Sequence, residues 1–370
     1  MKITGVSVYR TDLPYVGGAY GWGAGNAITT ALSTVVVLTT DTGLSGTGEF
    51  CPCGENYMDA FSHGVEAAAR LLAPTLLGED PRQVARIERF MDATLSGHGY
   101  AKAPFDAACW DILGKATEQP LWMLMGGKLT DGAPMYRVVP QKSVAETKAE
   151  LAVHRSEGYR QFQVKVGANW QADIETIRTV VPLLETGEKA YADANRGWRV
   201  DNALRVARAT RDLDYVFEQP CRTYEECLQV RRRIDLPMKL DEVVTGIDMA
   251  QRIVADKAAE IVCLKISNLG GLSKARRVRD FFVDNGIPVV AEDTWGGEIT
   301  TAALAHFAAS TPADMLVNTT DLHNYNSRST GTPGPATADG RLFASDDPGL
   351  GVEPDYASLG DPVARYGAAA

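Results

Sequence analysis

The chain has 370 residues, of which 45% are hydrophobic and 23% charged, proportions of an ordinary globular protein. That length accommodates a barrel of about 200–250 residues beside a smaller domain. A net charge of −10 excludes a polyanion-binding protein, because the longest basic run, Arg231-Arg232-Arg233, reads as one solvated helix face. No apolar run reaches the roughly 18 residues of a membrane span, and MKITGVSVYR has no leader pattern, so the expected location is the cytoplasm, with neither membrane nor nucleic acid as partner. The cysteines are scattered apart from Cys51-Pro-Cys53, which suits reduced thiols and not a zinc knuckle.

Residues 2–10 and 31–40 alternate apolar and polar positions and are rich in β-branched residues. With the Asp41-Thr-Gly43 turn and GLSGTGEF they predict an antiparallel meander. Two segments, VGGAYGWGAGN and CPCGENY, are longer than turns need and read as binding loops or lids. Helices are predicted over 58–77, from an N1 proline at Pro81 through Met91, and across APFDAACWDILGKA to near Gly114. Strands followed by helices describe an α+β domain over residues 1–125.

From residue 126 strands and helices alternate. Strands are predicted at 134–139, 161–166, 189–193, 215–218, 238–241, 260–265, 288–292 and 315–318, with helices between them. Ser143, Asp201 and Thr223 suit N-caps or first-turn positions. The fold class is therefore α/β, a modified (β/α)7β TIM-type barrel over 126–320. Residues 321–370 return over the N-terminal capping domain, end in the strand-like GLGVEPD and leave a frayed GAAA tail.

Five ionisable residues close successive apolar runs: Lys165 in QFQVKVG, Asp193 in AYADAN, Glu218 in YVFEQP, Asp241 in MKLDEV and Lys265 in IVCLKIS. Their gaps of 28, 25, 23 and 24 residues each match one strand plus one helix. On parallel barrel strands all five project at one rim, where such barrels hold their chemistry. Three adjacent acids repel unless a cation joins them, and oxygen donors without His or Cys favour one Mg²⁺ at Asp193, Glu218 and Asp241. Gln163, Asn195 and Glu242 are candidate supports for these ligands. Lys165 and Lys265, on the second and sixth strands, are candidate acid/base residues on opposite sides of the metal site. Read singly, each acid also suits a helix cap, and either lysine a structural ion pair.

These motifs resemble the enolase superfamily, in its muconate-lactonising-enzyme-like subgroup. The carriers are the lysine of QVKVG, the acids of ADANRGW, EQP and LDE, and the lysine of LKISNLGG. The resemblance implies Mg²⁺ at the three acids and acid/base work at the two lysines. One departure is Gln163, where many relatives carry a second lysine. GHGYAKAPFDAACWDILGKA, PLWMLMGG, EQPC, LDEVVTG, EDTWGGEITTAALAHFAASTP and TDLHNYN extend the resemblance to a group acting on proline derivatives. The implied activity is dehydration of cis-3-hydroxy-L-proline, a hydro-lyase reaction. The alternative is Cα epimerisation of proline betaine or hydroxyproline betaine. Either makes the partner a small cyclic amino acid or betaine carboxylate, and the family expectation is a homo-oligomer.

Asp293 and Trp295, after the seventh strand, suit a ring ammonium, or alternatively an N-cap and a packing residue. Tyr20, Trp22 and Tyr57 suit a cover that excludes water, or alternatively a contact between domains. His323, near the eighth strand, is a further candidate. A non-catalytic barrel would be expected to lack one of the five charges, and all are present. A serine hydrolase lacks its G-x-S-x-G elbow, and a dinucleotide enzyme its G-x-G-x-x-G turn.

Overall fold

The N-terminal alternation builds three antiparallel strands, β1 (Ile3–Pro14), β2 (Thr30–Thr40) and β3 (Ser45–Phe50). They belong to a computed structural model that describes residues 1–140 and 142–367, the Ala24 side chain aside. Helices α1 (Ser62–Leu76), α2 (Val84–Thr94) and α3 (Gly99–Thr117) follow. Val6, Val8, Val36 and Leu38 of the sheet pack against Leu72, Ile87 and Phe105 of these helices in a core of their own.

Two expectations here need correction. Pro81 does not open α2. It is the second residue of a turn closed by the Gln83 amide donating to the Asp80 carbonyl, and the helix starts after Gln83. Helix α3 runs past Gly114 to a left-handed Glu118. Gly114 is glycine because the backbone of Gly349 passes there; a Cβ would lie 2.5 Å from the Gly349 Cα.

The barrel alternates β4 (Tyr136–Val139), α4 (Val144–Ser156), β5 (Gln161–Lys165), α5 (Trp170–Val180), β6 (Lys189–Asp193) and α6 (Val200–Ala209). It continues through β7 (Val216–Glu218), α7 (Tyr224–Arg231), β8 (Met238–Leu240), α8 (Ile247–Asp256) and β9 (Ile261–Lys265). It ends with α9 (Leu272–Asp284), β10 (Val289–Glu292), α10 (Glu298–Ala309) and β11 (Leu316–Thr319). Ser143 and Thr223 form capping boxes with Glu146 and Glu226, and Asp201 lies in the first turn of α6. The eight strands are parallel and lie in sequence order; one bridge between Met135 and Thr319 joins the first to the eighth.

The chain then returns to the first sheet, where β12 (Ala364–Gly367) pairs antiparallel with β1. The closing strand is thus ARYG and not GLGVEPD, whose Glu353–Pro354 pairs only with Gly331–Thr332. In the expected frayed tail, Gly367 ends β12 and Ala368–Ala370 lie outside the described residues.

The two layers are joined by carboxylates. Helices α9 and α10 each begin after a Gly-Gly pair, so neither has a side chain of its own at the N-cap. Asp106 of α3 supplies the first cap, accepting from the Ser273 amide at 2.9 Å and its hydroxyl at 2.5 Å. Gly271, at φ 112°, lies so close to Asp106 that a Cβ would come within 2.6 Å of its Oδ2. Glu49 of β3 supplies the second, accepting from the amides of Gly297 at 2.8 Å and Thr300 at 2.9 Å.

His306 of α10 is fully buried. Its Nδ1 accepts from the Trp122 amide at 3.3 Å, so Nε2–H donates to the Leu350 carbonyl at 3.1 Å and the ring is held neutral. Burial lowers its pKa to about 4. Below the unfolded value of 6.5 the unfolded chain binds the extra proton and the folded one does not. His306 therefore stabilises fully above that pH and loses its contribution as pH falls toward 4. The urea-stability gap between the native chain and a His306→Gln variant should shrink by about 2 kcal/mol from pH 7.5 to pH 5. A gap independent of pH would contradict the neutral assignment.

Candidate active site

Strand register assembles the site. Lys165 is paired with Asp193, Asp193 with Glu218, and Glu218 with Lys239, so the four lie in one layer at the C-terminal rim. Asp241 lies two residues past Lys239, on the same face. Lys265 is likewise paired with Glu292. After Asp193 the chain turns through left-handed Asn195 and Arg196, and after Glu218 through left-handed Gln219. Each such residue costs about 1–3 kcal/mol. The turns are held by the Arg196 amide donating to the Gln219 carbonyl and the Gln219 amide donating to that of Lys239.

Each flanking lysine touches the nearest acid. Lys165 Nζ donates to Asp193 Oδ2 at 2.7 Å and Asn195 Oδ1 at 3.2 Å. Lys265 Nζ lies 2.5 and 2.6 Å from the Asp241 oxygens and 2.5 Å from Glu292 Oε2. Glu218 receives Lys239 at 2.7 Å and, more weakly, the Gln163 amide at 3.3 Å. Asn195 donates to Glu242 Oε1 at 3.2 Å, and Arg196 lies 3.8 Å from the same oxygen. Burial opposes the charge on both flanking lysines. The nearby carboxylates, Asp193 for Lys165 and Asp241 for Lys265, outweigh it and raise both pKa values.

Six buried carboxylates, Asp193, Glu218, Asp241, Glu242, Glu292 and Asp293, meet four cations, Lys165, Lys239, Lys265 and Arg196. The set is two positive charges short. Glu218 and Glu242 register that deficit: burial raises both, and the charges of Asp193 and Asp241 raise them further, against the pull of Lys239 on Glu218 and of Lys265 and Arg196 on Glu242. Glu242 Oε2 and Gln163 Oε1 are buried without a hydrogen-bond partner. A hard dication at the all-oxygen donor set of Asp193, Glu218 and Asp241 fits both the missing charge and the donor chemistry. Among the described residues the acids and thiols that bring donor atoms within 4.8 Å of one another are Asp241, Cys263 and Glu292, not the Asp193, Glu218 and Asp241 trio, whose oxygens are held by Lys165, Lys239 and Lys265; the Lys265 ammonium lies among the closer group and already meets its charge.

Aromatic side chains from the N-terminal layer cover the lysines. The Tyr20 ring centre lies 5.9 Å from Lys165 Nζ, and that of Tyr57 lies 5.7 Å from Lys265 Nζ. Tyr20 packs edge-on against Trp295 at 4.9 Å, and Trp22 against Tyr57 at 6.0 Å. The cavity between them measures about 30 Å³, room for one or two waters.

Of the residues singled out in the sequence, Tyr20, Trp22, Tyr57, Gln163, Lys165, Asp193, Asn195, Asp241, Asp293 and Trp295 line this cavity. Glu218, Lys265 and Glu242 are buried and not among the lining residues; Lys265 contacts the lining Asp241 and Glu292, and Glu242 accepts from the lining Asn195. Asp293 accepts from the amides of Ser267 and Thr294, so it caps the helical turn Ile266–Leu269 as well as facing the cavity. Trp295 has its indole N–H bonded to Asn326 at 2.9 Å. His323 is not among the lining residues; its amide donates to Thr301.

Besides Arg196, three charged or polar site residues were not singled out in the sequence. Lys239 precedes Asp241 by two positions in MKLD, and strand alternation could have found it. Glu292 ends the apolar run VVAE as the other acids end theirs. Tyr136, on the first strand, donates its phenol to Glu292 Oε1 and carries no signal in the sequence.

Comparison with known proteins agrees with this architecture. The family model described as "Enolase C-terminal domain-like" matches residues 146–358. That described as "Mandelate racemase / muconate lactonizing enzyme, N-terminal domain" matches residues 23–126. The chain is 45% identical to the cis-3-hydroxy-L-proline dehydratase of Roseibium aggregatum, over 99% of this chain and 100% of that protein. It is 28% identical to the N-succinyl-L-Arg/Lys racemase of Bacillus cereus, over 74% of this chain and 75% of that one. A crystal structure of a mandelate racemase/muconate lactonizing enzyme from Roseovarius nubinhibens ISM superimposes with a TM-score of 0.97 at 71% identity, covering 100% and 99% of the two chains. An enolase-superfamily member from the same organism, complexed with magnesium, gives 0.93 at 35% identity, covering 99% and 100%. With its acid-rich barrel rim and its antiparallel capping sheet, the chain belongs to the enolase superfamily, in the mandelate racemase/muconate lactonizing enzyme group.

Proposed function

We propose that the chain is a Mg²⁺-dependent hydro-lyase that converts cis-3-hydroxy-L-proline to Δ1-pyrroline-2-carboxylate and water. The observation that carries this reading is the order lysine, acid, acid, acid, lysine on five consecutive strands, each lysine in contact with the acid beside it. The 45% identity to a cis-3-hydroxy-L-proline dehydratase along nearly the whole chain supports the choice of substrate.

Asp193, Glu218 and Asp241 would hold the ion. Bound there, Mg²⁺ would act as a Lewis acid for the negative charge that grows on the substrate carboxylate as the Cα proton leaves. Lys165, in its neutral amine form once released from Asp193, takes that proton on one face of the ring. The C–H electron pair moves into the substrate carboxylate, giving an enediolate, and then returns to form the Cα=C3 bond as the C3–O bond breaks. Lys265, an ammonium bonded to Asp241 and Glu292, gives a proton to the departing hydroxyl, and water leaves. The enamine then tautomerises to the cyclic imine. Asp293 and the Trp295 face hold the ring nitrogen. Tyr20, Trp22 and Tyr57 keep bulk water out, and the small volume of the cavity means that side chains lining it shift to admit a proline ring. The cytoplasm, where reduced thiols persist, suits the six free cysteines.

Replacing Lys165 by Ala should lower kcat for imine formation by about 10²–10⁴-fold, the usual contribution of a positioned acid or base. Turnover at the native rate would remove Lys165 from the mechanism. Dialysis against EDTA should abolish activity and added Mg²⁺ should restore it; full activity in metal-free buffer would rule out the ion.

A further inference from the structure

Lys265 is held by two carboxylates with different standing. Asp241 belongs to the trio assigned to the ion. Glu292 does not; it lies on the seventh barrel strand, in register with Lys265, and is buried. One of its oxygens takes the Lys265 ammonium at 2.5 Å, and the other is fixed by the Tyr136 phenol. Lys265 is 2% exposed.

We propose that Glu292 is a positioning residue that draws Lys265 off Asp241 when a dication binds, so that cation affinity depends on Glu292 through the lysine. This rests on the reading of Asp193, Glu218 and Asp241 as the ion's ligands. An ammonium and a dication compete for Asp241. A buried ammonium that gave up its only carboxylate would stand unpaired, at a cost large enough to block the exchange. Glu292 removes that obstacle, because the lysine keeps a full ion pair after releasing Asp241. The Tyr136 phenol stops Glu292 from following the lysine toward the ion. Among the described residues Lys165 has no second carboxylate within ion-pair distance; its other partner is the neutral Asn195 amide, and its side chain is 14% exposed. The two lysines thus give up their acids by different routes.

The test is a double-mutant cycle read by Mn²⁺ binding, with free Mn²⁺ followed by electron paramagnetic resonance. With Lys265 present, Glu292→Gln should weaken Mn²⁺ binding about thirtyfold or more; in a Lys265→Met background the same change should cost only about threefold, the loss of one nearby charge. Equal losses in the two backgrounds would overturn the role of Glu292 and leave the metal site standing. No Mn²⁺ binding to the native chain would overturn both. Should either variant fail to fold, a crystal structure of the native chain loaded with Mg²⁺ decides. The expected result is Lys265 Nζ on Glu292 and beyond hydrogen-bonding distance of Asp241; a retained Asp241 bond would overturn the proposal.

Discussion

An excess of buried negative charge at one end of a barrel governs this protein. Six carboxylates converge there because parallel strands in register place their last inward residues side by side. Isolated buried carboxylates would take up protons or disrupt the fold. Here each ion pair meets only part of the charge, and the remainder is the chemical basis for a dication site. The same crowding holds both flanking amines against acids, Lys165 on Asp193 and Lys265 on Asp241.

The N-terminal layer is tied into that arrangement by charge as well as by packing. Glu49 caps α10 at the end of the loop that carries Asp293 and Trp295, and the Thr294 hydroxyl donates to the Cys51 carbonyl at 2.6 Å. The loop that presents Cys53 and Tyr57 to the cavity begins right after this anchor. Asp106 ties α3 to α9 in the same way, and the Trp110 indole donates to the same Ser273 hydroxyl at 2.9 Å. The covering aromatics are therefore positioned relative to the barrel rim by hydrogen bonds that span the two layers. A change at Glu49 would reach the cavity without touching it.

Much of this was legible in the residues because barrel grammar is local. An apolar run that ends in a charge, repeated at a strand-plus-helix spacing, is enough to locate Lys165, Asp193, Glu218, Asp241 and Lys265 on neighbouring strands. What escaped depends on partners distant in the chain. Glu292 is informative only beside Lys265 and Tyr136, which come from strands 27 and 156 residues away. Gly114 read as a helix end because glycine usually marks one, but here it admits the backbone of Gly349, far along the chain. Pro81 read as a first-turn proline because a turn closed at Gln83 and a helix that starts one residue later look alike in sequence. Asp293 proved to be a helix-turn cap that also faces the cavity, so its two readings were not exclusive.

The central claim is that two amines on opposite sides of one carboxylate-binding centre remove water from a cyclic amino acid. Proton NMR of the native enzyme with Mg²⁺ and cis-3-hydroxy-L-proline in D₂O examines it most directly. The account predicts that the C3 carbinol signal disappears as the cyclic imine grows in. Deuterium entering at Cα while the hydroxyl stays in place would show an epimerase and contradict it.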